Sequence, residues 1–88
     1  MKLNIEKSIY RDLNKISNPK LNAQVDRAIL AVKAAVTLKD IPRLKKLKGY
    51  RIHYRIRVGD YRIGIAIEGD TVTFLRCLPR KDFYRVFP

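Results

Sequence analysis

Ile52, Tyr54, Ile56 and Val58 alternate with Arg51, His53, Arg55 and Arg57. A period of two is the signature of a strand with one buried face. Two further alternating runs follow, separated by Gly59-Asp60 and Gly69-Asp70. Glycine leading a two-residue turn favours type II′, so the pattern predicts two hairpins, with strands over about 50–58, 61–68 and 71–78. Upstream the period changes. Ile9, Leu13 and Ile16 recur at helical spacing, a short amphipathic helix. Ser17-Asn18-Pro19 breaks it, with Asn18 placed to cap a second helix and Pro19 at its first position. That helix carries Leu21, Val25, Ala28 or Ile29, Val32 and Val36 on one stripe, through about residue 37. Met1 to Ile5 predicts a short strand with Leu3 and Ile5 inward. Pro42 ends the helical part, and Leu44 and Leu47 anchor a basic connector over Arg43–Gly49. The order β-α-α-β-β-β makes an α+β fold: an antiparallel sheet with two N-terminal helices on one face.

The hairpin fixes which side chains meet. A two-residue turn at Gly59-Asp60 pairs Val58 with Tyr61, setting Arg57 opposite Arg62, Arg55 opposite Gly64 and His53 opposite Ala66. Like charges in register destabilise a sheet by some tenths of a kcal/mol, and Gly and Ala are poor strand formers. Both features fit a shallow open groove floored by Gly64 and Ala66 and rimmed by guanidinium groups. The plainer alternative is a solvated face that happens to be basic.

Charge favours the groove. The chain of 88 residues carries a net +12, which bears on partners rather than on fold. Arg43 to Arg57 holds seven Lys or Arg and no Asp or Glu. Cations held at fixed spacing on strands suit a polyanion, RNA first, whereas a membrane surface calls for an amphipathic helix. Eighty-eight residues suffice for one domain, residues 1–88, with a single core. The apolar runs are too short for a transmembrane helix and the N-terminal residues lack a signal sequence, so a cytoplasmic protein is expected. One cysteine and one histidine predict neither a disulfide nor a zinc site. Cys77 reads as a small core residue.

No Ser-His-Asp set, Gly-rich phosphate loop or carboxylate pair stands out, and no metal or cofactor is expected. Metal-dependent cleavage of nucleic acid draws on carboxylates, and the predicted groove contains none. The chemistry that remains is phosphoryl transfer without a metal. Arginines would neutralise the charge on a pentacoordinate phosphate, and the RNA 2′-hydroxyl already sits beside the scissile phosphorus. His53 is a candidate acid or base by its ordinary pKa, or a bystander beside the arginine row. Tyr84, in Pro79-Arg80-Lys81-Asp82-Phe83-Tyr84-Arg85, can donate or accept through its hydroxyl and stack through its ring. Its alternative role is packing on the sheet.

In that order, Leu47-Lys-Gly49, Tyr54-Arg-Ile-Arg57, Val58-Gly-Asp-Tyr-Arg62 and Pro79-Arg-Lys-Asp-Phe-Tyr-Arg85 resemble the RelE/ParE superfamily of toxins from toxin–antitoxin pairs. The resemblance covers nearly the whole chain. RelE-type members are ribosome-dependent endoribonucleases that cut mRNA. The likeness places their catalytic groups on Arg55, Arg57, Arg62, Arg80 and Tyr84, and implies an antitoxin, the ribosome and mRNA as partners. Lys45, Lys46, Lys48, Arg51, His53, Lys81 and Arg85 are the accompanying candidates for RNA binding. Three positions depart from the pattern. Arg55 and Arg57 stand where well-known RelE sites have lysines, and an arginine cannot give up its proton as a lysine can. Pro79 stands where many relatives have histidine. The ParE branch, which poisons DNA gyrase, shares the fold and gives an alternative reading; a non-catalytic RNA- or ribosome-binding module gives another.

Overall fold

The computed structural model describes residues 1–88. β1 (Lys2–Ile5) leads into α1 (Lys7–Ile16) and α2 (Pro19–Ala34), and a 3-10 turn follows at Leu38–Asp40. Then come β2 (Leu44–Lys46), β3 (His53–Val58), β4 (Tyr61–Glu68), β5 (Thr71–Pro79) and α3 (Arg80–Val86). The five strands form one sheet in the order β1-β5-β4-β3-β2. Both turns behave as the sequence predicts. Gly59 and Gly69 have φ of 57° and 58° while the aspartates after them stay at negative φ, the sign pattern of type II′. Val58 pairs with Tyr61, Arg57 with Arg62, Arg55 with Gly64 and His53 with Ala66, the expected register.

The helices start as expected and α2 ends early. The Asn18 side chain accepts a hydrogen bond from Leu21 N–H at 3.1 Å, with Pro19 opening the helix. Past Ala34 the backbone is captured by Asp40, whose Oδ2 accepts from the N–H groups of Val36 and Thr37, each at 2.9 Å. Those bonds, Thr37's first, lower the Asp40 pKa. Val36, expected on the buried stripe, is consequently 86% exposed. Ile9, Leu21, Val25 and Val32 are buried against Ile56, Ile63, Ile65 and Phe74 of the sheet.

Four features go beyond the expected plan. β1 pairs with β5 in parallel, so the sheet is mixed rather than wholly antiparallel. The basic connector contains an edge strand: Leu44, Lys45 and Lys46 pair with Ile56, Arg55 and Tyr54. Three residues are too few for alternation to register in a sequence. β3 starts at His53, because Gly49 at φ 86° and the Tyr50 N–H to Leu47 carbonyl bond turn the chain just before it. Finally, the segment after β5 is a helix, beyond the β-α-α-β-β-β order.

α3 closes the second face of the sheet. Ile63 and Ile65 point into the helical core, so Arg62 and Gly64 point the other way. There Leu47, Phe83 and Phe87 are buried together, with Leu75 and Leu78 beside them. A Cβ at Gly64 would lie 2.7 Å from carbons of the Phe87 ring. Gly64 is thus a socket for Phe87. The expected groove floored by Gly64 does not exist, since an aromatic ring fills it.

A β-bulge adjusts β5 to both cores. Ile65 pairs with Phe74 and Gly64 with Arg76, leaving Leu75 as the extra residue. The shift puts Phe74 and Cys77, three apart, both in the helical core. β1 stops pairing at Phe74, and α1 serves the exposed backbone beyond it. Ser8 Oγ donates to the Leu75 carbonyl. Asp12 Oδ2 accepts from Cys77 N–H at 2.9 Å and from Arg76 Nε at 2.8 Å. The pairing with Asp12 raises the pKa of Arg76.

Gly64→Ala should destabilise the fold by about 1–3 kcal/mol, the usual scale of overpacking. In the Phe87→Ala background the same change should cost clearly less, because its clash is gone. Denaturant titration of the four proteins measures this coupling, and strict additivity would refute the socket.

Burial, and then the nearby Asp12 charge, push the Cys77 thiol up to about 12. Since the thiolate is the reactive form, Cys77 should resist a thiol reagent at pH 8 in the folded protein and react promptly in denaturant. Rapid labelling of the native state would contradict its placement.

Candidate nucleic-acid interface

The site is built on the face that α3 covers. Pro79 ends β5 and precedes α3, and the Arg80 N–H donates to the Asp60 carbonyl at 2.8 Å. The first turn of α3 is thereby tied to the β3–β4 turn. Tyr84 follows one turn later, 59% exposed, with its ring edge-to-face with buried Phe83 at 5.0 Å.

Tyr84 stands between two hollows. One, of about 500 Å³, is lined by Lys45, Lys46, Lys48, Tyr50, Arg55, Tyr84 and Phe87, with Leu47 at its base. Four cations and no carboxylate line it, so it favours an anion. The other, of about 590 Å³, is lined by Asp60, Tyr61, Pro79, Arg80, Lys81 and Tyr84. The fold therefore brings Arg55, Tyr84 and the three connector lysines together, with Arg80 and Lys81 on the far side of Tyr84.

Arg55 is half-buried. Its NH1 donates to the Arg43 carbonyl at 2.7 Å, while its buried Nε has no partner. Arg43 has φ of 60°, a sparsely populated conformation for a residue with a side chain. The carbonyl it presents accepts from both Arg57 N–H and the Arg55 guanidinium.

Arg62 departs from expectation. It is only 8% exposed, and its NH1 donates to the carbonyls of Gly59 and Tyr61, both at 2.9 Å. Its Nε is buried without a partner. Arg62 therefore does not lie on an open rim, as the groove would require. The side chain folds back over its own turn, and α3 closes the face. A buried guanidinium with an unused donor is costly in a fold.

Arg57 is exposed and lines a different hollow of about 300 Å³, between α2 and the end of β3, with Arg27, Arg43, Ile41 and Pro42. Arg51 is exposed and precedes β3, outside the regular alternation. Arg85 pairs with Asp82 at 2.7 Å on the surface of α3. His53 is wedged edge-to-face between Tyr50, at 5.7 Å, and Phe87, at 5.6 Å. The sequence reading missed Tyr50, Tyr61 and Phe87 as neighbours of the site. The one available signal was Gly49, a turn residue that sets Tyr50 on a loop.

No cluster of three His, Cys, Asp or Glu side chains is placed to hold a metal ion, and no helix is long and apolar enough to cross a membrane. No protein-family model matches the chain. Individual relatives do. Toxin RelE3 of Methanocaldococcus jannaschii is 39% identical over 89 residues, covering all of both chains. The crystal structure of a RelB–RelE antitoxin–toxin complex from Methanococcus jannaschii contains a chain 37% identical, with a TM-score of 0.79 over 97% of this chain and 99% of that one. The toxin–antitoxin complex RelBE2 of Mycobacterium tuberculosis shares the fold at a TM-score of 0.70 and 24% identity, over 90% of this chain and 96% of that one. Identity at this level, over the full length of both sequences and with the same fold, shows that the chain belongs to the RelE toxin family.

Proposed function

We propose that this protein is the toxin of a type II toxin–antitoxin pair and cleaves mRNA on the ribosome, in the cytoplasm. The observation that carries the reading is the hollow in which Arg55 and Tyr84 face three lysines with no carboxylate among them. In the proposed reaction the RNA 2′-oxygen loses its proton and attacks the adjacent phosphorus. The P–O5′ bond breaks, and the leaving 5′-oxygen takes up a proton. The products are a 2′,3′-cyclic phosphate, which opens to a 3′-phosphate, and a 5′-hydroxyl. Arg55, Arg62 and Arg80 supply positive charge where the pentacoordinate phosphate becomes more negative. The Tyr84 hydroxyl is the proton-transfer group best placed beside Arg55, because arginines stay charged. Arg57 lies outside this hollow and is assigned to steering the RNA.

Lys45, Lys46, Lys48 and Arg51 are assigned to ribosomal RNA phosphates, with Lys81 and Arg85 extending the basic surface past Tyr84. His53, held between two rings, is assigned to shaping the site. A net charge of +12 also suits an acidic antitoxin segment as the inhibitory partner.

Tyr84→Phe keeps the ring and removes the hydroxyl. On purified ribosomes carrying mRNA it should lower cleavage by about 10²-fold, the scale of general acid–base effects, with ribosome binding retained. Arg80→Ala, truncated at an exposed position, should likewise lose activity without loss of stability. Full cleavage by both variants would overturn the assignment. Double-strand DNA breaks with intact transcripts on induction would point instead to a gyrase poison, and ribosome binding without cleavage to a silent binding module.

Ribosome affinity should fall steeply with ionic strength, and each of Lys45→Ala, Lys46→Ala and Lys48→Ala should reduce the slope of log K against log salt by nearly one. Unchanged slopes would show that these lysines carry no phosphate contacts.

A further inference from the structure

Five aromatic rings run in an unbroken row across the sheet face: Tyr50, His53, Phe87, Phe83 and Tyr84. Successive centroids lie 5.7, 5.6, 5.1 and 5.0 Å apart. Phe83 and Phe87 in the middle are buried, while the end members are open, Tyr50 at 48% and Tyr84 at 59% exposure. The row holds the end rings in place. At Tyr50 the backbone is also fixed, by the left-handed Gly49 before it and by its N–H bond to the Leu47 carbonyl at 3.2 Å.

Both end tyrosines line the hollow that contains Lys45, Lys46, Lys48 and Arg55. Tyr50 meets His53 at an interplanar angle of 82°, so the imidazole covers at most one face of the phenol ring. A half-exposed aromatic ring beside a cationic trough is the arrangement that binds single-stranded nucleic acid: bases stack on the rings and the backbone follows the charge.

We infer that Tyr50 is a second base-stacking platform, and that the toxin grips single-stranded RNA with one base on Tyr50, another on Tyr84 and the intervening phosphates over Arg55 and the lysines. The inference rests on the nuclease reading and extends it, because it assigns a second binding residue to the trough that the proposed proton-transfer group lines. Stacking on a phenol ring tolerates any base, so this platform sets grip rather than sequence.

The test is binding of a fluorescent single-stranded 2′-O-methyl oligoribonucleotide, which lacks the attacking hydroxyl, followed by anisotropy. Tyr50→Ala should weaken binding about tenfold, in line with loss of one stacked base. Tyr50→Phe should bind as the wild type does. Tyr50→Leu keeps apolar bulk in the loop and should behave like Tyr50→Ala, which separates stacking from loop folding. The salt slope should stay unchanged in all three, unlike that of Lys46→Ala. With an oligomer lacking a base at the position that stacks, wild type and Tyr50→Ala should bind alike. Equal affinity of wild type and Tyr50→Ala for the intact oligomer, equal loss on every abasic oligomer, or no binding by the wild type would each overturn the platform. Intact binding effects with no cleavage of ribosome-bound mRNA would overturn the nuclease reading alone. Tyr84-dependent cleavage with a silent Tyr50 would overturn the platform alone.

Discussion

The seating of Phe87 against Gly64 is the contact on which the functional face depends. A sheet sandwiched on one side by two helices would leave its other side open, and the sequence on that side is rich in arginine. α3 prevents this by folding back and placing a ring where only a residue without Cβ leaves room. The position of that ring determines the position of its helix. Arg80 then lies at the β3–β4 turn and Tyr84 above the lysine-lined trough. Most of the packing energy on this face comes from few residues, Leu47, Phe83 and Phe87 with two leucines, so the site is held by a small and separate hydrophobic cluster.

β5 carries a different constraint, since it must serve two cores and on its β1 side has a strand neighbour for only part of its length. The bulge at Leu75 adjusts its side-chain phase, and Asp12 and Ser8 of α1 take over backbone pairing where β1 ends. Asp12 pairs with a backbone N–H and with Arg76 together, using both of its oxygens. A helix side chain thus substitutes for a missing strand, which keeps an unpaired edge from being presented to another chain.

Much of this was legible in the sequence, and the limits have physical causes. Alternation and two Gly-Asp turns mark β3, β4 and β5, and the first turn sets the β3–β4 register residue by residue, because a two-residue turn leaves no freedom of pairing, whereas the bulge at Leu75 shifts β5 against β4. Asn18-Pro19 locates the start of α2. α2 ends short of the expected residue 37 because a local competitor that helical periodicity does not mark, the Asp40 side chain three and four residues on, takes the N–H groups that a further helical turn would use. Nothing in periodicity marks β2 or the parallel pairing of β1, which depend on partners distant in the chain. Gly64 was noticed as an anomaly, but its reason lay in Phe87, beyond any local pattern. Arg55, Tyr84 and the lysines do converge, while Arg62 proves buried and Arg57 faces another hollow.

The parallel pairing of β1 with β5 joins Lys2 to Thr71 and Ile5 to Phe74. It closes the longest loop in the sheet, and loop closure carries an entropy cost that grows with length. The hairpins of β3, β4 and β5 close through two-residue turns and gain their pairing locally. Assembly of the sheet therefore runs against the order of synthesis: the first strand made is the last to find its neighbour. β1 has no strand neighbour until β5 is available, and the edge of the sheet that it covers is the last to be closed.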